Sequence, residues 1–220
     1  MALGDALGQS IPEKTRTQEV GVFGGSFDPI HSAHLMVAHE VAHRLVLDSV
    51  LFVPAQVSPL KRASDAMFSG SERARLVEIA VADNPCFSLS TVDLDRQGPS
   101  FTVDTLALLA REMGPHTRLH FVMGLDSLAT FYLWREPQGI LDLARLAVVT
   151  RPGSHVDWEH LEQRLPGIRE RADLVETLEI GISSTDIRSR IRERLPYRYM
   201  LPPAVYDAVQ EMASATRDQA

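Results

Sequence analysis

Short apolar runs alternate along the chain with amphipathic stretches of helical period. The apolar runs predict strands over Val20 to Phe23, Val50 to Pro54, Phe87 to Asp93, Leu119 to Met123, Leu146 to Thr150 and Leu174 to Leu178. Between them, periodic stretches predict helices over Ala33 to Leu47, Ser71 to Ala82, Val103 to Met113, Leu125 to Ala144 with a break near Pro137, and His160 to Leu165. Two more helices are expected at the end, over Thr185 to Arg194 and Ala204 to Met212. Strands that alternate with helices require right-handed crossovers, so the expected fold class is α/β, a Rossmann-like doubly wound parallel sheet with the C-terminal helices packed on it. No repeat, low-complexity tract or interior linker interrupts the pattern, and 19–214 are expected to form a single domain behind a disordered N-terminal tail over 1–18.

Composition adds exclusions. With 45% apolar and 23% charged residues among 220, the chain is long enough to bury a sizeable core. Lys and Arg number 22 against 29 Asp and Glu, a net charge of −7, so no global positive field draws it to a nucleic acid polymer or an acidic membrane. An anionic ligand must therefore be held by local positive potential. The lone cysteine, Cys86, forms no internal disulfide and no zinc cluster, and is read as a small residue at the start of a strand. The first 18 residues hold no signal-peptide or transit pattern, and no stretch reaches the ~20 apolar residues of a membrane span. A cytoplasmic protein is expected.

Open parallel sheets bind ligands beyond the carboxyl ends of their strands, so motifs there carry most weight. Gly24 and Gly25 follow the first strand, where missing side chains let main-chain N–H groups approach a phosphate, and the helix from about Ser32 aims its positive end at the same space. His31 and His34, three residues apart, share one side of that helix start. The same residues also fit a tight turn whose histidines are satisfied by neighbours. Further along, Ser183-Ser184-Thr185-Asp186-Ile187-Arg188 opens a helix, with Ser183 as N-cap and Asp186 at the third helical position. That is an ordinary cap, or a second phosphate cradle of free N–H groups, hydroxyls and an arginine one turn inside. His39-Glu40-Val41-Ala42-His43 fits the zinc-peptidase pattern H-E-x-x-H, but Glu40 and His43 fall on the polar side of the wheel, which favours a solvated face over a metal site.

Together these stretches carry a family resemblance. GGSFDPIHSAH resembles the GGxFDPxHxGH signature of the bacterial nicotinate-nucleotide adenylyltransferases, within the HxGH nucleotidyltransferase superfamily, with Ala33 where the family has glycine. ISSTDIR resembles the ISSTxIR motif of that family, and the PSFTVDTL segment resembles PSYTxxTL with Phe101 for tyrosine. Arg151-Pro152-Gly153 matches RPG, while Ser58-Pro59-Leu60-Lys61 stands at a PPHK-like loop with Leu60 for histidine.

The resemblance implies transfer of the adenylyl group of ATP to nicotinate mononucleotide, giving nicotinate adenine dinucleotide and pyrophosphate in NAD biosynthesis. It implies catalytic roles for His31, His34 and Arg188. ATP contacts are implied for Gly24, Gly25, Ser26, Phe27, Gly124, Asp126, Ser183, Ser184 and Thr185, and acceptor contacts for Lys61, Ser100, Thr102, Trp134 and Arg151. Mg²⁺ is expected to arrive on ATP, held by the nucleotide and waters, with no metal held by the protein itself. ATP and nicotinate mononucleotide are the expected partners, and self-association stays open. Adenylylation of nicotinamide mononucleotide, or of both acceptors, is the alternative within the superfamily; a module that senses ATP without turnover is the alternative outside it.

Overall fold

The apolar runs become the strands of one six-stranded parallel sheet, in a computed structural model that describes residues 16–56, 66–178 and 180–215. In chain order the elements are β1 (Gln18–Gly25), α1 (Ser32–Arg44), β2 (Ser49–Pro54), α2 (Gly70–Val81), β3 (Phe87–Leu89), α3 (Thr102–Met113), β4 (Thr117–Gly124) and α4 (Leu125–Ala129). They continue as α5 (Pro137–Leu143), β5 (Ala144–Thr150), α6 (Trp158–Arg164), α7 (Ile168–Arg171), β6 (Ala172–Glu176), α8 (Ser184–Glu193) and α9 (Pro203–Ala215). The strand order is β3-β2-β1-β4-β5-β6. The chain therefore winds outward in both directions from β1 and β4, and their carboxyl ends diverge into a crevice at the switch point. Gly24 and Gly25 end β1, and Gly124 ends β4, so three glycines from the sequence motifs sit at its rim.

Alternation within each strand sends side chains to two cores. One face carries Val50, Phe52, Val122, Ala147 and Val175 against α1, α2 and α9. The other carries Val20, Val22, Leu119, Phe121, Leu146 and Val148 against α3, α5, α6 and α7. Burial on both faces explains why these strands read as continuous apolar runs. Gly21 marks a close approach: a Cβ there would lie 3.0 Å from Leu47 and 3.1 Å from Val50, so the connection from α1 into β2 packs directly on the β1 backbone.

Three expectations change. β3 ends at Leu89 instead of Asp93, because the Asp93 carboxylate turns inward to accept from Thr105 Oγ1 at 2.6 Å and Arg96 Nη2 at 2.8 Å. A buried carboxylate needs such partners, and a strand continuing along the sheet edge would not bring it to them. The stretch Leu125 to Ala144, expected to break near Pro137, does so with Pro137 in the first turn of α5, but the first helix stops earlier, at Ala129, and a 3₁₀ turn at Phe131–Leu133 follows it. Gln18 is part of β1, its N–H bonded to His116 O at 2.8 Å, so the first strand begins inside the span read as tail; 1–15 lie outside the described residues.

Phe52 joins the ring cluster that supports the end of β1, against Phe23, Phe27 and Phe87 at 5.3–5.8 Å between centroids. Truncating this fully buried ring should cost about 3–5 kcal/mol. Urea unfolding of Phe52→Ala should show a lower midpoint at unchanged slope; a midpoint equal to the parent's would mean the cluster bears no weight.

Candidate active site

The loop from β1 to α1 is built around Phe27. Its backbone adopts φ +46°, a left-handed conformation that costs a non-glycine residue about 1–3 kcal/mol. Burial of the ring, 1% exposed, offsets this: it packs on Phe23, Phe52 and His34. The ring also explains Gly25, where a Cβ would lie 3.0–3.3 Å from it. Phe27 thus acts as a plug that turns the chain while its side chain stays out of the crevice.

His31 is the N-cap of α1 and 5% exposed, and its ring stacks on that of His34 at 3.7 Å. The His31 N–H donates to His34 Nδ1 at 3.2 Å, which places the ring proton of neutral His34 on Nε2. Burial pulls the His31 pKa from 6.5 down to about 4, so the ring is neutral at pH 7, and its Nδ1 is buried without a hydrogen-bond partner. The orphaned nitrogen, one donor on His34 and the start of α1 make a site that an anion would complete.

The start of α8 comes to the same loop. Ser183 caps the helix, accepting from Asp186 N at 3.1 Å as the sequence pattern predicts. Ser184 Oγ donates to Pro29 O at 3.0 Å, so its hydroxyl ties α8 to the loop and its backbone N–H is what remains to face a ligand. Arg188 Nη1 donates to Asp28 O at 2.8 Å, and Nη2 donates to Thr185 Oγ1 at 3.3 Å.

Two residues without an assigned role on sequence complete the arrangement. Asp28 accepts from Met67 N and Phe68 N at 3.0 and 2.9 Å, with Arg188 Nη1 at 3.6 Å from its carboxylate. Arg73, on α2, donates to Ser26 O and Ala55 O at 2.7 and 2.8 Å. Burial lowers its pKa, and the charge of Asp28 opposes that shift. Asp28 lies inside the quoted motif; a charged residue on a helix, as Arg73 is, gives no local sign that its head is buried.

Beside this loop opens a cavity of about 370 Å³, lined by Gly24, Gly25, Ser26, Ser100, Thr102 and Trp134 among others. Thr102 begins α3, which points its positive end inward. Trp134 is half-buried, edge-on to Phe121 at 6.0 Å and tilted against Phe131 at 5.4 Å. Asp93 also lines the cavity, its charge met by Arg96. Arg135, another lining residue missed on sequence, stacks 4.6 Å over the Phe101 ring. A tyrosine hydroxyl is not needed for that stack.

Other expected residues stand apart. Gly124 and Asp126 are exposed at the end of β4 and the start of α4. Arg151, exposed past β5, does not line the cavity, and its backbone N–H donates to Ser154 Oγ at 3.2 Å. Lys61 and Leu60 lie outside the described residues. In the H-E-x-x-H stretch, Glu40 pairs with Arg44 at 3.2 Å along the helix. Among the described residues no helix is long and apolar enough to cross a membrane.

Comparison with known proteins agrees with this geometry. A cytidylyltransferase-like family profile matches residues 22–190. A protein of Herpetosiphon aurantiacus named "Probable nicotinate-nucleotide adenylyltransferase" is 39% identical over 197 residues, covering 89% of this chain and 98% of its own. One of the same name from a Roseiflexus species is 44% identical over 186 residues, covering 84% and 92%. The fold resembles that of Plasmodium falciparum nicotinic acid mononucleotide adenylyltransferase complexed with NaAD, with TM-score 0.70, 18% identity, and 89% of this chain and 96% of that one covered. Signature loops at the ends of β1 and β6 meet in one site, and relatives this similar span nearly the whole domain; the chain belongs to the nicotinate-nucleotide adenylyltransferase family.

Proposed function

We propose that this chain transfers the adenylyl group of ATP to nicotinate mononucleotide, releasing pyrophosphate and forming nicotinate adenine dinucleotide for NAD biosynthesis. The observation that carries the proposal is the joining of two anion-ready helix starts at one loop, Ser184 to Pro29 O at 3.0 Å and Arg188 to Asp28 O at 2.8 Å, beside a separate cavity for the acceptor. An oxygen of the acceptor's phosphate attacks the α-phosphorus of ATP in line, the bond to the β-phosphate oxygen breaks, and pyrophosphate leaves. No protein nucleophile is needed, so rate comes from positioning and from stabilising charge. Gly24, Gly25, Ser26 and Phe27 supply backbone contacts to ATP. His34 Nε2–H donates to the α-phosphoryl oxygens as charge builds there. His31, the start of α8 and Arg188 hold the β- and γ-phosphates, and Gly124 and Asp126 face the ribose.

On the acceptor side, the first N–H groups of α3 near Thr102 receive the carboxylate, Trp134 offers a ring face, and Ser100 and Lys61 serve the rest of the mononucleotide, with Arg151 kept outside the cavity. Nucleotidyltransferases generally use a divalent metal with ATP. Mg²⁺ ligated mainly by the triphosphate and water would serve that role here. The amide acceptor remains the second reading because Asp93 lines the same cavity. A pyrophosphate-release screen with ATP against a panel of mononucleotides tests the activity directly.

Removing the α-phosphoryl donor should lower kcat by about 10²-fold or more in His34→Ala, with the melting temperature kept. Near-parental kcat would remove His34 from the chemistry. Acid and amide acceptors should differ about 10- to 150-fold in kcat/KM in favour of the acid, the equivalent of roughly 1.5–3 kcal/mol from N–H bonds to a carboxylate. A ratio near one would make the enzyme dual in specificity.

The unfolded chain protonates His31 near pH 6.5 and the folded one only near 4. Between these values the unfolded state holds more protons, so stability falls as pH drops through the window, by about 3 kcal/mol in full. A bound polyphosphate favours the imidazolium and reverses part of the shift. ATP binding at about pH 5.5 should therefore take up protons, measured by calorimetry in buffers of different ionisation enthalpy, and His31→Gln should reduce the uptake. Equal uptake in the variant would place His31 away from the nucleotide.

A further inference from the structure

Arg73 is a buried cation, 5% exposed, one turn inside a helix whose neighbours on that face are apolar. Burying a guanidinium is costly unless its donors are met, and here carbonyl oxygens meet those of Nη1 and Nη2, while the buried Nε has no partner. Nη1 reaches Ser26 O at 2.7 Å and Ala55 O at 2.8 Å, and Nη2 reaches Gln56 O at 3.4 Å. These oxygens lie just beyond the sheet. The rung between the ends of β1 and β2 is Ala55 N–H to Gly25 O, at 2.9 Å; past it the two chains diverge, and Arg73 holds them together in place of a ladder bond.

The connection continues to a third segment. Gln56 N–H donates to Ser100 Oγ at 2.9 Å, immediately before α3. Ser26, Ala55 and Ser100 all line the cavity beside the phosphate loop. One fork of donors therefore spans from the loop proposed for ATP to the wall proposed for the acceptor.

The geometry points to Arg73 as a positioning residue for adenylyl transfer, one that sets the spacing between the Ser26 loop and the Ala55–Gln56–Ser100 wall while touching neither substrate. This rests on the proposed function above. In-line attack needs the reacting atoms about 3–3.5 Å apart, and a misplacement of about 1 Å costs on the order of 10²-fold in rate. A lysine keeps the charge, but a compact ammonium on a flexible stem lacks the planar fork that fixes two carbonyls at set angles.

The test compares Arg73→Lys with Val209→Ala, a substitution in α9 at a fully buried position that lies in the core. Arg73→Lys should lower kcat by about 10- to 100-fold, with KM for ATP and for nicotinate mononucleotide within about 3-fold of the parent, as expected when alignment is lost and binding kept. Val209→Ala should lower the melting temperature while kcat at 25 °C stays within about 2-fold. Arg73→Gln, which retains a donor without the charge, replaces the lysine variant if that one fails to fold, and the same loss of kcat is expected. Folded Arg73 variants with kcat within about 2-fold of the parent, or with raised KM at unchanged kcat, would overturn the positioning role. So would an equal kcat loss in Val209→Ala. Turnover by the parent is the control: activity there with unaffected Arg73 variants sinks this inference alone, whereas a parent that turns over no mononucleotide sinks the proposed function and this inference with it.

Discussion

Asp28 is the charge on which the site's construction depends. Its carboxylate, nearly excluded from water, accepts from two backbone N–H groups at the approach to α2 and faces Arg188 from α8 and Arg73 from α2. An isolated buried carboxylate would be severely penalised, so the fold must keep these groups around it, and in doing so it gathers the β1–α1 loop, the start of α2 and the start of α8. The apolar cores hold the sheet and its helices together. Asp28 decides how the loops at its carboxyl edge sit against one another.

An acidic chain nonetheless presents an anion site, because the potential that matters is local. The starts of α1 and α8 contribute unpaired N–H groups and the positive ends of their dipoles, and Arg188, only 11% exposed, carries a charge that solvent screens weakly. Neutral His31 adds little field in the free protein. Its Nδ1 has no hydrogen-bond partner, and burial alone keeps the ring neutral. The cavity proposed for the acceptor follows another rule: Asp93 would repel a carboxylate, Arg96 at 2.8 Å offsets that charge, and the start of α3 and Arg135 add positive potential.

Much of this was legible in the residues. The apolar runs and helical periods located the strands and main helices because parallel strands buried on both faces are apolar throughout. The glycine turn after the first strand, the cap at Ser183 and the placing of motifs at strand ends were legible because they depend on chemistry within one turn of chain, where residue type dictates backbone geometry. A helix starting near Thr102 was legible; the stacking of Arg135 over the Phe101 ring was not, since a cation above a ring is a matter of two side chains meeting in space.

What tertiary structure alone decided is where long-range partners end up. Asp93 reads as the end of a strand, yet Thr105 and Arg96 draw it out of the sheet. Ser184 reads as a phosphate hydroxyl, yet it bonds Pro29, 155 residues away. Arg73 reads as one more helix charge, yet it closes two loops 47 and 18 residues distant. The sequence by itself determined most of the elements and their order, because those follow from local propensity and pattern, while the family chemistry came from the resemblance of its motifs. Only the folded chain determined which buried charges meet, because a hydrogen bond across such separations exists only after the sheet has brought its ends together.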